Sequence, residues 1–554
     1  MQATWCATLV DEWIRAGVRH AIVAPGSRST PMAIALADRR ELQLDIFHDE
    51  RSAAFAALGV GLATPMPAVL LCTSGTASAH FLAAVVEADL SSVPMIVLTA
   101  DRPPELHHVG APQTIEQDGL YLRCTRWAFN PGVADSATND GWRSIGARSV
   151  LEATGERPGP VHLNLPFREP LVGVAGPLPV GRDSGAPWHQ RFGSTTARAT
   201  VALPSGRGII VAGYTAGTVL PDDIIALGEA TGWPIVADLR SGCRRPHPLV
   251  ISAFDAILRS PDFVAKAKPD VIVRVGQGPA SKVLSQWLAT CDAPHIVIDP
   301  TNSWPDPDRR AAVILNHLPK LDTGVKKTPK GWAKLWRVAD DAAAQSIHNA
   351  TAKGPLTEIA TARWLMASMP SHGNLVVSSS MPIRDVEWFA APRYDVTTFS
   401  NRGANGIDGV LATATGVALA SRRPTVVYIG DVATLHDSSS LTALSTRGID
   451  LRIVVSDNDG GAIFSFLPQA SVMNTARFEK LFGTPHGTDF AALAAAHHLP
   501  YAIVNSPAQL AAQIKKRGPR LIHVRTDRQA NVAAHSSVNE AVCAAVSSAI
   551  RGVR

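Results

Sequence analysis

The stretch from Thr425 to Phe464 constrains this chain more than any other. An apolar run, Thr425 to Ile429, ends at Gly430-Asp431. A helix-compatible segment follows, from about His436 to Thr446, and stops at Gly448. A second apolar run, Leu451 to Val455, ends in Ser456-Asp457-Asn458, with Gly460 and Gly461 just behind. Strand, helix, strand joined in this way implies parallel pairing through a crossover. Asp431 and Asn458 then stand just past the carboxyl ends of neighbouring strands, along the edge where open α/β sheets bind ligands. An anionic and a neutral oxygen donor, followed by small residues that expose backbone, suit a hard divalent cation carrying a phosphate ester. The same residues would also serve a surface turn in which Asp431 caps the helix and the glycines shape a loop. Strand context, spacing and glycines together favour the cation.

Composition sets the class. With 46% hydrophobic and 18% charged residues, the 554-residue chain reads as globular, with room for about three domains. A net charge of +5 arises from 52 basic and 47 acidic residues, a mixture without the basic runs of a nucleic-acid binder. Cys6, Cys72, Cys124, Cys243, Cys291 and Cys543 form no CxxC pair, so zinc and a disulfide framework are unsupported and reduced thiols are expected. Asp11 and Glu12 interrupt the N-terminal segment, unlike a signal peptide, and no apolar stretch reaches the ~18 residues of a membrane span. A soluble, cytoplasmic protein is expected.

Strand and helix patterns alternate through three regions. The first opens with an amphipathic segment, Trp5 to Ile14, ended by Gly17. Strands are expected at His20 to Pro25, Leu44 to Phe47, Ala68 to Thr73, Met95 to Ala100 and Pro160 to Pro166, with helices between them. Residues from about Gly176 to Arg207 break every period and read as a linker. The middle region shows Gly208 to Gly213, Pro234 to Asp238, Val271 to Gly276 and His295 to Asp299 as strands, without GxGxxG, and a polar helix from Trp332 to Ala352 leads out of it. The last region repeats the first in outline, with strands at Asn374 to Ser380, Thr397 to Asn401, the opening unit and Leu521 to Arg525. The expected fold is α/β, three doubly wound parallel-sheet domains at 1–180, 181–345 and 346–554.

Several charged residues sit at expected strand ends. Glu50 lies in His48-Asp49-Glu50-Arg51, where a carboxylate is also suited simply to charging a helix's first turn. Arg28 in PGSRSTP, Arg102 in TADRPPE, Arg384 in SSSMPIRD and Arg402 in SNRGANGIDG occupy similar places. Each alone reads as a surface cation or an ion-pair partner. Four together suit carboxylate recognition, because a guanidinium binds a carboxylate as a bidentate fork. The pairs His107-His108 and His497-His498 complete no metal-ligand spacing, and His436 is given no proton-transfer role.

Asn458 follows Asp431 by 27 positions, and this spacing resembles the Gly-Asp-Xaa to Asn motif of thiamine-diphosphate enzymes. With PGSRSTP, HDER, TSGTA, TADRPPEL, SNRGANGIDG and FGTPH, the resemblance narrows to the carboligases of menaquinone biosynthesis within that family and covers most of both outer regions. It implies the thiamine-diphosphate decarboxylase-like arrangement, with an N-terminal pyrimidine-binding domain and a C-terminal diphosphate-binding domain. It implies thiamine diphosphate and Mg2+ or Mn2+ as cofactors, the metal held by Asp431, Asn458 and the Gly460 carbonyl. Cofactor contacts are further implied for Thr73, Ser74, Gly75, Ile407, Ile463 and Phe464, and Glu50 is implied as the carboxyl group acting on the aminopyrimidine.

The implied reaction decarboxylates 2-oxoglutarate and adds the resulting carbanion to isochorismate in a 1,4-addition. Ser27, Arg28, Arg102, Gln113 and Lys282 are implied at isochorismate, and Ser380, Arg384 and Arg402 at the 2-oxoglutarate carboxylate, with Phe464 and Leu467 walling the pocket. A homo-oligomer with active sites at the subunit interface follows from the same resemblance; nucleic acid and membrane are not expected partners. Three departures stand out: Val432 and Asp457 replace the usual Gly and Asn, and Pro112 replaces an Asn before Gln113. Two other readings remain open: another thiamine-diphosphate carboligase or decarboxylase acting on less charged partners, and a non-catalytic regulator that keeps the cofactor fold. Retention of Glu50, Asp431 and Asn458 argues against the second.

Overall fold

The computed structural model describes residues 1–191, 203–319 and 328–553. Their strands form three six-stranded sheets, and every pairing between strands is parallel. The first contains β1 (His20–Val23), β2 (Gln43–Ile46), β3 (Ala68–Cys72), β4 (Met95–Asp101), β5 (Trp127–Phe129) and β6 (Pro160–Pro166), in the order β2-β1-β3-β4-β6-β5. The second contains β7 (Gly208–Ala212), β8 (Ile235–Ala237), β9 (Val250–Ile251), β10 (Val271–Val275), β11 (His295–Ile298) and β12 (Ala311–Leu315), in the order β12-β11-β10-β7-β8-β9. The third contains β13 (Asn374–Val377), β14 (Thr397–Phe399), β15 (Thr425–Gly430), β16 (Leu451–Asp457), β17 (Tyr501–Ile503) and β18 (Arg520–Arg525), in the order β14-β13-β15-β16-β18-β17. Each is the α/β architecture expected of alternating strands and helices.

The central strands are buried along their whole length, as in β3, β4, β10 and β16. Helices on both faces of a parallel sheet leave no solvated side, which is why these strands read as nearly continuous apolar runs rather than alternating ones, with Arg274 and Arg452 buried in them as partners of Asp306 and Asp450.

The contacts divide the chain into two compact units. One comprises Met1–Thr195, Asn401–Arg422 and His436–Ile449, and the other Thr196–Ser400, Arg423–Leu435 and Asp450–Arg554. In the first unit, the helices Glu50–Ala63 and Val410–Ser421 lie backbone against backbone. A Cβ on Gly416 would stand 2.0 Å from the Ala56 carbonyl oxygen, and one on Gly59 would stand 2.1 Å from that of Thr413. In the second unit, Trp336 of the helix Lys330–Thr351 packs on Phe263 and Trp287 at ring distances of 4.8 and 5.7 Å.

The expected helix from His436 to Thr446 does not form. A helix spans Asp431–His436, and two short 3-10 turns follow at Ser438–Leu441 and Leu444–Thr446. The cause lies in the polar side chains. Asp437 accepts the N–H groups of Leu411 and Ala412 at 2.7 and 3.0 Å, capping the helix Val410–Ser421 rather than its own segment. Ser439 donates to Asp49, and Ser440 donates to Asp437 while its Oγ lies 2.9 Å from that of Ser52. Residues that bond elsewhere in this way compete with helix formation, and Ala443 separates the two turns at φ +58°. The stretch 176–191 of the expected linker carries neither helix nor strand, and 192–202 lies outside the described residues. Among the described residues no helix is long and apolar enough to cross a membrane.

Candidate active site

In the second unit, β15 and β16 are paired neighbours with Gly430 opposite Ser456, so Asp431 and Asn458 leave the same sheet edge side by side. Asp431, 2% exposed, accepts the backbone N–H of Asn458 at 3.0 Å and of Gly460 at 2.9 Å through Oδ2, and that of Val432 through Oδ1. Burial pushes its pKa up against these hydrogen bonds, and the nearby Asp457 pushes the same way. A cation would relieve both.

Asn458 presents a matching asymmetry. Its Nδ2 donates to Glu358 Oε1 at 2.9 Å, while its Oδ1 is buried without a hydrogen-bond partner. An orphaned buried acceptor costs about 1–3 kcal/mol, so this oxygen is suited to a ligand. Gly460 has φ +139°, and a Cβ there would lie 1.9 Å from the Gly483 carbonyl oxygen. One on Gly461 would lie 2.3 Å from that of Phe482. The turn therefore requires glycine to pass against the Phe482–Gly483 backbone. The Gly460 carbonyl accepts the Ala462 N–H at 3.0 Å and keeps a second lone pair. These donors fit a divalent cation bearing a diphosphate.

Asp431, Asp457 and His486 also bring one potential ligand atom each within 4.8 Å. Asp457 is already committed through both oxygens, and His486 through one ring nitrogen. His523 Nε2 lies 2.8 Å from Asp457 Oδ2, and the Asp459 N–H donates to Oδ1 at 3.0 Å. Although burial opposes it, the His523 bond holds Asp457 below the usual carboxylate range. His486 Nδ1 accepts the Thr488 N–H at 3.1 Å, which puts the proton of the neutral ring on Nε2, 3.4 Å from Asp431 Oδ2. His486 Nε2 is buried and makes no hydrogen bond, so the His486–Asp431 approach is a proximity and not a donor–acceptor pair. The Asp457–His523 pair, joined by Tyr501 at 2.8 Å from His523 Nδ1, gives the departure from Asn a structural partner.

Also in this unit, Ser380 (φ +70°) starts the helix Met381–Phe389, and Arg384 Nη1 donates to its carbonyl. Burial lowers the Arg384 pKa. Lys282 begins the helix Lys282–Thr290 and is exposed. Ile463 and Phe464 are half-buried, Leu467 is 37% exposed, and Phe464 packs on Phe482 with ring centroids 5.3 Å apart. A cavity of about 560 Å3 opens beside Asn458, lined by Ser465, Phe478, Glu479, Thr526 and Arg528.

In the first unit, the loops bearing Glu50, Arg28, Thr73 and Arg102 leave the carboxyl ends of the adjacent strands β2, β1, β3 and β4. Glu50 is half-buried and begins the helix Glu50–Ala63, capped by Asp49. Its neighbours tie that helix start to the 436–440 segment: Arg51 Nη2 donates to the His436 carbonyl at 2.7 Å, and Ser439 donates to Asp49. Arg28 is 5% exposed, donates to the Phe167 carbonyl at 2.9 Å and meets Glu169 at 3.2 Å, whereas Ser27 is exposed. Arg102 Nη2 donates to the Pro112 carbonyl at 3.2 Å, so the proline that cannot offer an amide side chain still receives the guanidinium through its backbone.

Gln113 Nε2 donates to the Ser74 carbonyl at 2.9 Å, and Ser74 Oγ returns a bond to the Gln113 carbonyl at 3.0 Å. Gln117 accepts the Gly75 N–H at 2.8 Å. The Thr73-Ser74-Gly75 turn is therefore fixed by two glutamines, of which Gln117 carried no sequence signal. Arg402 and Ile407, both half-buried, lie in the 401–422 segment of the same unit. Glu87, 2% exposed, accepts the N–H groups of Gly403, Ala404 and Asn405 just after Arg402. Neither Glu87 nor Glu358 is recognisable in the sequence, because each meets its partner only through the fold.

Three family models match: the thiamine pyrophosphate enzyme N-terminal TPP binding domain over residues 5–120, the middle domain of thiamine pyrophosphate over 185–377, and the C-terminal TPP binding domain over 380–524. A 2-succinyl-5-enolpyruvyl-6-hydroxy-3-cyclohexene-1-carboxylate synthase of Chloroflexus aurantiacus is 39% identical, with 96% of this chain and 95% of that protein covered. A synthase of the same name from Thermobifida fusca is 40% identical over 97% of this chain and 98% of its own, and one from Myxococcus xanthus is 38% identical over 97% and 96%. This chain belongs to the 2-succinyl-5-enolpyruvyl-6-hydroxy-3-cyclohexene-1-carboxylate synthase family of thiamine-diphosphate enzymes.

Proposed function

We propose that this protein decarboxylates 2-oxoglutarate and adds the remaining four-carbon unit to isochorismate by 1,4-addition, releasing CO2, in menaquinone biosynthesis. The observation that carries this reading is the alignment with named synthases over nearly the whole of both chains. Thiamine diphosphate supplies the electron sink that makes loss of CO2 from a 2-oxo acid feasible. Asp431, Asn458 and the Gly460 carbonyl hold Mg2+ or Mn2+, and through it the diphosphate. The orphaned Asn458 Oδ1 and the strained Gly460 support that assignment.

Glu50 exchanges a proton with the aminopyrimidine ring. Thr73, Ser74 and Gly75 line the ring's turn, Ile407 supports the cofactor, and Ile463, Phe464 and Leu467 wall the pocket. Arg28 and Arg102, with Ser27, Gln113 and Lys282, orient isochorismate. Arg384 and Arg402, with Ser380, bind the 2-oxoglutarate carboxylate remote from the reacting carbon. Two dicarboxylates make this number of guanidinium groups intelligible, since each fork binds a carboxylate with fixed orientation. The functional protein is a cytoplasmic homo-oligomer whose active sites lie at the subunit interface.

The test supplies the protein with Mg2+, thiamine diphosphate, 2-oxoglutarate and isochorismate and follows CO2 and the coupled product. Consumption of both substrates in equal amounts is expected. Turnover of pyruvate in place of 2-oxoglutarate, without a coupled product, would reassign the substrates while leaving the cofactor chemistry in place.

A further inference from the structure

The geometry points to Glu358 as a positioning residue that decides which end of the Asn458 carboxamide faces the cation. This inference rests on the metal reading above. A carboxamide offers an oxygen at one end and an NH2 at the other, and a half-turn about its last bond exchanges them. Only the oxygen is a metal donor.

Two observations make the choice one-sided. Asn458 Nδ2 donates to Glu358 Oε1 at 2.9 Å, while Oδ1 remains buried and unpartnered on the other side. Glu358 is itself buried and bonded: it is 2% exposed, stands in the first turn of the helix Glu358–Ser368, and takes a second hydrogen bond from Thr526 Oγ1 at 3.1 Å on the same oxygen. Reversing the amide would break its bond to Glu358 and turn Oδ1 toward a carboxylate oxygen. The main chain of Asn458 is meanwhile fixed by Asp431. An acidic residue thus holds each part of Asn458, and only Asp431 is itself a ligand. Outer partners of this kind typically alter metal affinity by about 10–100-fold.

The test reads Mn2+ affinity by electron paramagnetic resonance in the presence of thiamine diphosphate, together with the thermal midpoint of each variant. Glu358→Met should weaken Mn2+ at least about tenfold. Glu358→Gln, which keeps an acceptor, should stay near wild type. A reciprocal exchange covers the case in which Glu358→Met fails to fold. Asn458→Asp alone sets two carboxylates against each other and should lose Mn2+. Adding Glu358→Gln supplies an N–H to the introduced carboxylate and should restore binding. Wild-type affinity in Glu358→Met, or no recovery in the double variant, overturns this inference alone. A wild-type chain that binds no Mn2+ overturns it together with the cofactor reading.

Discussion

The carboxylate of Glu87 accepts the backbone N–H of Ala404 at 2.7 Å, deep in the first unit and two residues beyond Arg402. Gly403 and Asn405 donate to the same group at 2.8 and 2.9 Å, and Ser91 adds a fourth bond. Three successive amides converging on one buried anion fix the course of the backbone that carries Arg402. Glu87→Gln replaces one acceptor oxygen by an NH2 that faces these amides. The expected result is a KM for 2-oxoglutarate raised roughly tenfold, a loss of ~1.4 kcal/mol in binding, with thiamine diphosphate affinity nearly unchanged. Steady-state kinetics and a cofactor titration check it. An unchanged KM would mean that Glu87 does not set the position of Arg402.

Glu50→Gln keeps the size of the side chain but removes its exchangeable acid. Proton exchange at the reactive carbon of bound thiamine diphosphate should slow by at least about a hundredfold, the usual share of a positioned acid or base. Quench-flow exchange into deuterated water, read by NMR, measures it. Cofactor affinity should change little, and unaltered exchange would remove Glu50 from this role.

Gly416→Ala inserts a methyl group where the Ala56 carbonyl oxygen lies 2.0 Å away. Overpacking of this kind costs about 1–3 kcal/mol, and the upper part of that range is expected because backbone cannot rotate aside. Gly59→Ala should cost a similar amount. The double variant should cost less than the sum, since one widening of the helix pair accommodates both. Urea denaturation of the three variants reads the energies.

Asp437 is fully buried, and burial pushes its pKa from 3.8 up to about 6, against the Leu411, Ala412 and Ser440 hydrogen bonds and the nearby Arg51. The folded state therefore binds more protons than the unfolded state between these values. Its contribution is fully present below pH ~4 and is lost as pH rises through ~6, roughly 3 kcal/mol in all. Asp437→Asn cannot titrate. Its stability relative to wild type should rise between pH 4 and 6.5 in thermal scans, and a constant difference would show that Asp437 does not titrate in this window.

The interior strands were legible because a parallel strand covered on both faces is nearly continuous in apolar residues, as Val271–Val275 and Leu451–Val455 are apart from the ion-paired Arg274 and Arg452. Trp127–Phe129, Val250–Ile251, Ala311–Leu315 and Tyr501–Ile503 escaped sequence reading, and all four are edge strands. Three of them are partly exposed and the fourth has two residues, so none produces a continuous apolar run. The His436–Thr446 segment misled for a different reason. Its spacing suits a helix, but Asp437 and the serines bond to residues far away in sequence. At the carboxyl ends of β15 and β16, Asp431 and Asn458 announce themselves by position after a strand. Glu358 contacts Asn458 across a sequence separation of 100 and has no local signature.

The contact between Gly59 and Gly416 has a reach beyond its own packing. Where side chains meet, a size change is absorbed by a rotamer; where backbones meet, only a shift of a whole helix absorbs it. One of these helices begins at Glu50, about two and a half turns before Gly59, and the other begins just after the segment bearing Arg402 and Ile407. The helix pair therefore works as a gauge block between Glu50 and the segment bearing Arg402. A single methyl group placed there, touching neither, would alter the spacing between them.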